Sequence, residues 1–448
     1  MNFTEFKTLV IAEAQAMGLE EYELYYQAGE STSISAFQHS INQFTDSTEG
    51  GVCFRCIADG KMGYASTEAL NPEEAKAIVA RAAANAEVLE SEEQVFLGEG
   101  GKTYATIQRK PMELPTTDAL IAKVLDTQEK IYAASEAVID GSSTQGISEK
   151  SVTAIVNSKG LDLYHEISIA GLVVAAVVSD GKEMANDYQI KLGTLDEIDT
   201  GELTKKAAEG ALRKLGGDIA PTGQYGVVFD SEAMSDLLQV YSSIFSSEAA
   251  QKGLSKLAGK EGQKIAADIV TIVDDPFHPE NPMPMPFDAE GSPTAKKNII
   301  EKGVFKTLLY NLKTAGVAGR ETTGNAAKNG YAGAVNVRPF SMYLAGGDIT
   351  EEELLAKVGN GVYINSLSGL HAGANPITGD FSLQSAGFMI EGGVKTTAVK
   401  SFTVAGNFYE LLKNVVAVAN NAHLPMAMGM TAFGAPTTWV DGLSIAGK

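Results

Sequence analysis

Apolar residues recur along this 448-residue chain with two periods, and the change from one to the other divides it into helices and strands. Near the start, Phe6, Leu9, Val10 and Met17 share one helical face, with Asn2 as N-cap, Glu5 at the capping-box position and Gly18 as the stop. The period then shortens. Tyr22 to Ala28, Thr32 to Phe37, Gly50 to Ile57 and Lys61 to Ser66 are β-rich runs separated by Gly, Asp or Asn turn signals, which predicts an antiparallel sheet. Asn71-Pro72-Glu73-Glu74 opens a second helix reaching Leu89, with an N-cap, a Pro in the first turn and acids there to suit the helix dipole. Thr116-Thr117 leads into a third helix, to Ser135. Strand-like segments follow at Ala137 to Gln145, Lys150 to Asn157, Asp162 to Val178 and Glu183 to Lys191, and a helix from Thr200 to Leu215 closes this half.

Gly216 to Pro221 reads as a linker. Beyond it come a strand, Tyr225 to Phe229, a helix, Ser231 to Phe245, and a Gly-rich region of short strands. Six of the 14 prolines fall between Pro276 and Pro293. Proline lacks the backbone donor, so Pro276 to Pro286 is expected to be an extended loop. No tandem repeat is visible. The pattern predicts an α+β protein of two domains: residues 1–217, helices packed on an antiparallel sheet, and residues 218–448, β-rich with a few helices.

Composition narrows the function classes. There are 35 Lys+Arg against 56 Asp+Glu, a net charge of -21 that repels phosphate, so direct contact with nucleic acid or an anionic membrane is not expected. Met1 to Gly18 carries Glu5 and Glu13 and lacks the pattern of a signal peptide, and Ile167 to Val178 is too short to span a bilayer, so a cytoplasmic location is expected. The two cysteines, Cys53 and Cys56, form a C-x-x-C within a strand-like run, where positions i and i+3 point to opposite faces. They read as unrelated strand residues rather than a redox or zinc pair.

No G-x-x-x-x-G-K-[ST], G-x-S-x-G or H-E-x-x-H motif is present. His165 in Tyr164-His165-Glu166 has no second histidine four residues on, and reads as an ordinary sheet residue. His39, His278, His371 and His423 are scattered, and whether any meets Asp288, Glu290 or Asp380 at a metal is left open by the sequence.

The motifs of the C-terminal half carry a resemblance. Phe287-Asp288-Ala289-Glu290-Gly291-Ser292-Pro293-Thr294, Ile300-Glu301-Lys302-Gly303-Val304, Thr323-Gly324-Asn325, Asn375 to Ser382 and Thr403-Val404-Ala405-Gly406-Asn407 resemble the TldD/TldE family, whose TldE branch is also called PmbA. The resemblance spans the whole chain. It implies a two-domain α+β architecture and a cytoplasmic metallopeptidase of TldD-like and TldE-like subunits that degrades unstructured peptides. The TldD-like subunit carries a His-Glu-x-x-x-His zinc motif, with Glu as general base and a C-terminal Cys as a further ligand.

The matching positions here are Ser247, Glu248 and Lys252, so both histidines are replaced, and no cysteine lies in the C-terminal half. A Ser hydroxyl and a Lys ammonium do not normally supply zinc with electron pairs at neutral pH. The resemblance therefore implies a TldE-like subunit without a metal of its own, partnered by a zinc-bearing TldD-like subunit or by a second copy of itself. A self-sufficient homo-oligomeric peptidase and a non-enzymatic adaptor, the class behind the historical label modulator of DNA gyrase, are the alternatives. Asp288, Glu290, Gly291, Asn325, Thr378, Gly379, Asp380 and Phe381 are the substrate-cleft candidates. Glu248 and Lys252, four apart on a helix, form an expected ion pair. In that pair the Lys252 ammonium either stands where a metal's charge would be or belongs to a solvated pair on a helix face.

Overall fold

The computed structural model describes residues 1–90, 93–107, 112–424 and 431–448. Six antiparallel strands build the N-terminal sheet: β1 (Glu21–Phe37), β2 (Ser40–Ala58), β3 (Lys61–Thr67), β4 (Ser143–Asn157), β5 (Asp162–Ser179) and β6 (Met184–Leu192), in spatial order β3-β2-β1-β4-β5-β6. β1 is a single 17-residue strand where the sequence predicts two. The polar run Gly29-Glu30-Ser31 looks like a turn, yet its backbone is paired on both sides, to β2 and to β4, and Ser31 and Ser47 join hydroxyls across the ladder at 2.8 Å. A strand exposed on its faces needs no apolar alternation, so the periodicity fades while the hydrogen bonding continues. The segments predicted at Ala137 to Gln145 and Lys150 to Asn157 likewise merge into β4.

One side of this sheet carries two helix pairs end to end. Helices α1 (Phe3–Ala16) and α2 (Pro72–Glu87) cover Tyr22, Leu24, Val52, Phe54 and Cys56. Helices α3 (Thr117–Ala133) and α4 (Thr200–Leu212) cover Ile34, Ala36, Leu172 and Val174. The predicted N-caps hold: Asn2 and Glu5 close a capping box, and the Asn71 side chain accepts from Glu73 and Glu74. Gly63 lets β3 touch α2 backbone to backbone, because a Cβ there would lie 1.9 Å from the Ala82 carbonyl oxygen. The period of two then sends Tyr25 and Cys53 to the opposite side, where they pack with Ile155 and Leu161 and with Phe287 from the C-terminal half. Cys53 and Cys56 thus sit on opposite faces as expected, both buried and free.

The C-terminal half adds β7 (Asp218–Ile219), β8 (Gly223–Phe229), helix α5 (Ser231–Tyr241), helix α6 (Ser247–Gln251) and β9 (Ile272–Asp274). Next come β10 (Lys297–Glu301), β11 (Val304–Phe305), helix α7 (Leu312–Val317), β12 (Ala326–Lys328), β13 (Val335–Val337) and β14 (Ser341–Leu344). Helix α8 (Glu351–Val358), β15 (Gly361–Ser368), helix α9 (Leu370–Gly373), β16 (Asp380–Glu391) and β17 (Val394–Asn407) follow. Helix α10 (Phe408–Lys413), β18 (Val415–Val418), β19 (Ala432–Gly434) and β20 (Thr438–Ala446) end the chain.

A seven-stranded sheet runs β18-β20-β8-β15-β16-β17-β7, and an additional β17–β20 pairing closes its five middle strands into a ring, with β18 and β7 outside it. Within the ring each strand has a neighbour on both sides. A smaller sheet, β11-β10-β9-β14-β19, lies beside it, and α5 fills the core with Leu237, Leu238 and Tyr241. The predicted linker is not a free tether, since β7 pairs in parallel with Val399 and Lys400 of β17. The helix predicted to Phe245 tightens into a 3₁₀ turn over Ser242–Phe245, where Ser242 bonds back to the Gln239 carbonyl. Helices and antiparallel sheets together make the protein α+β.

Candidate functional site

Helix α6 carries the degenerate motif. It is five residues long and is capped by the Ser246 hydroxyl. Ser247 is fully buried, and its hydroxyl donates to Thr314 Oγ1 at 2.8 Å. Gln251 Nε2 reaches the Thr314 carbonyl, fastening α6 to α7. Glu248 and Lys252 form the expected ion pair at 2.6 Å. The Lys252 side chain is 62% accessible, so its ammonium lies on an exposed helix end and does not take the place of a metal's charge in a cleft. The physical reason is that the inward position on α6 is filled by Ser247, while residue 252 caps the helix and turns outward. A committed hydroxyl, one carboxylate and an ammonium do not make a zinc donor set. Among the described residues no three His, Cys, Asp or Glu side chains gather as a metal-binding group.

The substrate-cleft candidates fall into two groups. Asp288, Glu290, Gly291 and Asn325 come together at the seam between the halves, but they are turned inward. Asp288 Oδ1 accepts the backbone N–H groups of Glu290 and Ser292, each at 2.9 Å, and Oδ2 accepts that of Ala326, also at 2.9 Å. Glu290 Oε2 accepts the N–H of Leu312 at the start of α7 at 2.8 Å, and Oε1 lies 3.9 Å from the Arg55 guanidinium. Gly291 gives its carbonyl to the Tyr104 hydroxyl. Asn325 bridges Lys297, Thr323, Asp274 and the Arg338 carbonyl. Burial raises the pKa of both Asp288 and Glu290; backbone N–H bonds oppose the shift at Asp288, and the Arg55 charge opposes it at Glu290. These residues knit the loop together and do not line an open cleft, which corrects their reading as substrate-facing groups.

Asp288→Asn is expected to keep the two bonds to Oδ1 but to set an amide N–H₂ against the Ala326 N–H. A loss of about 1–3 kcal/mol should follow, measured by urea unfolding, because a buried donor is left without an acceptor. A change under about 0.5 kcal/mol would show that the loop does not depend on that third bond.

Sequence reasoning missed the partners across the seam. Glu23 and Arg55 are directly opposed on β1 and β2, on the face that meets the C-terminal half, and the guanidinium Nε donates to Glu23 Oε1 at 2.8 Å. Both are buried. Asn157 Nδ2 also donates to Glu23 and to the Gly98 carbonyl. The available signal was an opposite-charge pair inside two otherwise apolar runs, Tyr22-Glu23-Leu24-Tyr25 and Phe54-Arg55-Cys56.

The second group, Thr378 to Phe381, lies between α9 and β16. Gly379 is at φ +85 beneath the Tyr409 ring, where a Cβ would come within 2.4 Å of Cδ2. The Thr378 carbonyl accepts from Lys256 Nζ and Asn407 Nδ2, and exposed Asp380 accepts from Asn407, a bond that lowers its pKa. Phe381 belongs to the core instead, packed edge-on to Tyr241. His165, on β5, holds the Pro284 carbonyl at 2.8 Å, and Glu280 pairs with His423, so the predicted Pro-rich loop is fastened at both places. His39 pairs with Glu129, His278 Nδ1 accepts from the Glu280 N–H and His371 is exposed; they do not meet at Asp288 or Asp380.

Against known proteins, three family models match in order. They are PmbA/TldA metallopeptidase domain 1 over residues 22–86, the central domain over 110–215 and the C-terminal domain over 222–447. A metalloprotease of Methanothermobacter thermautotrophicus is 28% identical over 402 residues, covering 88% of this chain and 86% of that one. Metalloprotease PmbA of Escherichia coli O157:H7 is 27% identical over 256 residues, 57% of this chain and 54% of that one. The crystal structure of a Thermotoga maritima protein described as a modulator of a DNA gyrase superposes with a TM-score of 0.89 at 30% identity, covering 99% of this chain and 100% of the other. TldE from Thermococcus kodakarensis gives 0.88 at 25% identity, with 98% and 99% covered.

Proposed function

This chain belongs to the PmbA/TldD metallopeptidase family, and from that premise we propose that it is the TldE-like, non-catalytic subunit of a peptidase acting on unstructured peptides. The zinc would then reside in a TldD-like partner. One observation carries the reading: where the family's zinc motif falls, Ser247 is buried against Thr314 and Lys252 is paired with Glu248. Glu248 has no metal-polarised water to activate there, so the general-base role has no substrate at this position. The likeness to TldE over nearly the full length supports the assignment to that branch. The charge of -21 disfavours direct contact with DNA, so an influence on gyrase would run through proteolysis.

The test is to purify the full chain, measure bound zinc by mass spectrometry and follow cleavage of an unfolded peptide. The expected outcome is less than about 0.1 zinc per chain and no turnover alone, with cleavage appearing when a His-Glu-x-x-x-His partner from the same cell is added. Stoichiometric zinc with turnover by the chain alone would refute the proposal.

A further inference from the structure

A cavity of about 390 Å³ opens between residues 256–265 and helix α10, next to the Thr378 to Asp380 turn. Four lysines stand at it, Lys256, Lys260, Lys264 and Lys413, in a chain whose formal charge is -21. Two of the ammonium groups are neutralised locally, Lys264 by Asp268 and Lys413 by Glu410, both at 2.8 Å. Neither of the other two is in a direct ion pair among the described residues. Lys256 Nζ donates to the uncharged Thr378 carbonyl at 2.6 Å and lies 5.3 Å from the centre of the Tyr409 ring. Lys260 has no side-chain partner among the described residues. The nearby Asp380 carboxylate accepts from Asn407 and keeps its charge, which acts on Lys256, so Lys260 is the ammonium group left without a described partner.

Beside these charges the cavity has an apolar side, formed by buried Leu257, half-buried Ile265 and the Tyr409 ring. Lys260, Lys264, Glu410 and Lys413 are exposed, which leaves the mouth open to solvent. The unpartnered Lys260 ammonium, in a site with three further lysines, matches one carboxylate, the apolar side matches one side chain, and the open mouth leaves an exit for the rest of a chain. We infer that this cavity holds the C-terminal carboxylate of a peptide, with the terminal side chain against Leu257, Ile265 and Tyr409. The inference rests on the peptide-handling function above and adds an end-recognition site to it. A charge-assisted contact of this kind distinguishes an acid from its amide by roughly tenfold in affinity.

The test uses the full chain and an N-acetylated, unstructured heptapeptide ending in Phe, compared with its C-terminal amide by calorimetric titration. The acid should bind roughly tenfold more tightly, and the gap should close in Lys260→Glu and in Lys260→Gln while Lys260→Arg retains it. Because Lys260 is exposed, unchanged thermal unfolding should accompany all three substitutions. Equal affinity for acid and amide, or a gap that survives Lys260→Glu, overturns the inference. Inorganic phosphate that binds in a Lys260-dependent way while acid and amide bind alike would assign the cavity to a free oxyanion, and overturns it too. If the pair with the zinc-bearing partner still cleaves both peptides at equal rates, only this inference falls. If the pair cleaves neither, the proposed function falls and this inference with it.

Discussion

Arg55→Met is expected to destabilise the chain by about 3–5 kcal/mol near pH 8, because it leaves Glu23 and Glu290 buried without their cation. The loss should depend on pH in a definite direction. Burial already holds the Glu290 pKa above its ordinary value, and the Arg55 charge is what restrains that rise. A carboxyl with a higher pKa in the folded chain binds more protons there. Its favourable contribution is therefore complete below the unfolded pKa and is lost as pH climbs through the folded one. Removing Arg55 lifts the folded pKa further, so the deficit should be greatest near pH 8 and shrink toward pH 5, where the carboxyl can be protonated. Urea unfolding of both proteins at the two pH values measures this. A deficit independent of pH would mean that Glu290 escapes to solvent once its partner is gone.

Asp274→Ala should cost a comparable amount, about 3–5 kcal/mol. This carboxylate is fully buried; Oδ1 accepts the N–H groups of Phe340 and Ser341, while Oδ2 accepts Asn325 Nδ2 at 2.8 Å and meets Lys297 Nζ at 3.3 Å. Alanine would take the acceptor from the two backbone donors and leave Asn325 Nδ2 with the Arg338 carbonyl and Lys297 Nζ, a charged group only 14% accessible, with Asn325 Oδ1. Asp274→Asn should be milder, since its oxygen can still serve the two backbone donors. If both substitutions cost the same, the Lys297 and Asn325 contacts carry the stability and the strand-end N–H groups find water.

The two sites differ in how far the sequence discloses them. Asn325 and Asp288 stand inside recognisable motifs, and the helix starts at Asn2, Asn71 and Thr116 follow from capping chemistry that acts over three residues. Local signals of that reach are legible. Glu23 and Arg55 are far apart in sequence and become neighbours through the β1–β2 register, which no local pattern fixes. The continuous β1 is hidden for a related reason: its polar middle is held by partners on both sides rather than by its own side chains. Lys256, Lys260 and Lys264 repeat every four residues and resemble a helix face. They lie instead in an irregular segment punctuated by Gly259 and Gly262, where Lys264 bridges to Val304, and Lys413 joins them only through folding. The inward turn of Asp288 and Glu290 was equally invisible, because a carboxylate beside Gly reads the same whether it faces a cleft or its own loop.

The β17–β20 closure has a consequence for synthesis. β8 pairs with β20 and β15, and β20 in turn joins β17, so strands begun at Gly223 acquire their second neighbour only when Thr438–Ala446 has left the ribosome. The sheet β1 to β6 depends on no strand beyond Leu192 and can order while translation continues. The later half must wait with unpaired strand edges until β20 is made, the interval in which a nascent chain is most open to aggregation and most in need of a chaperone.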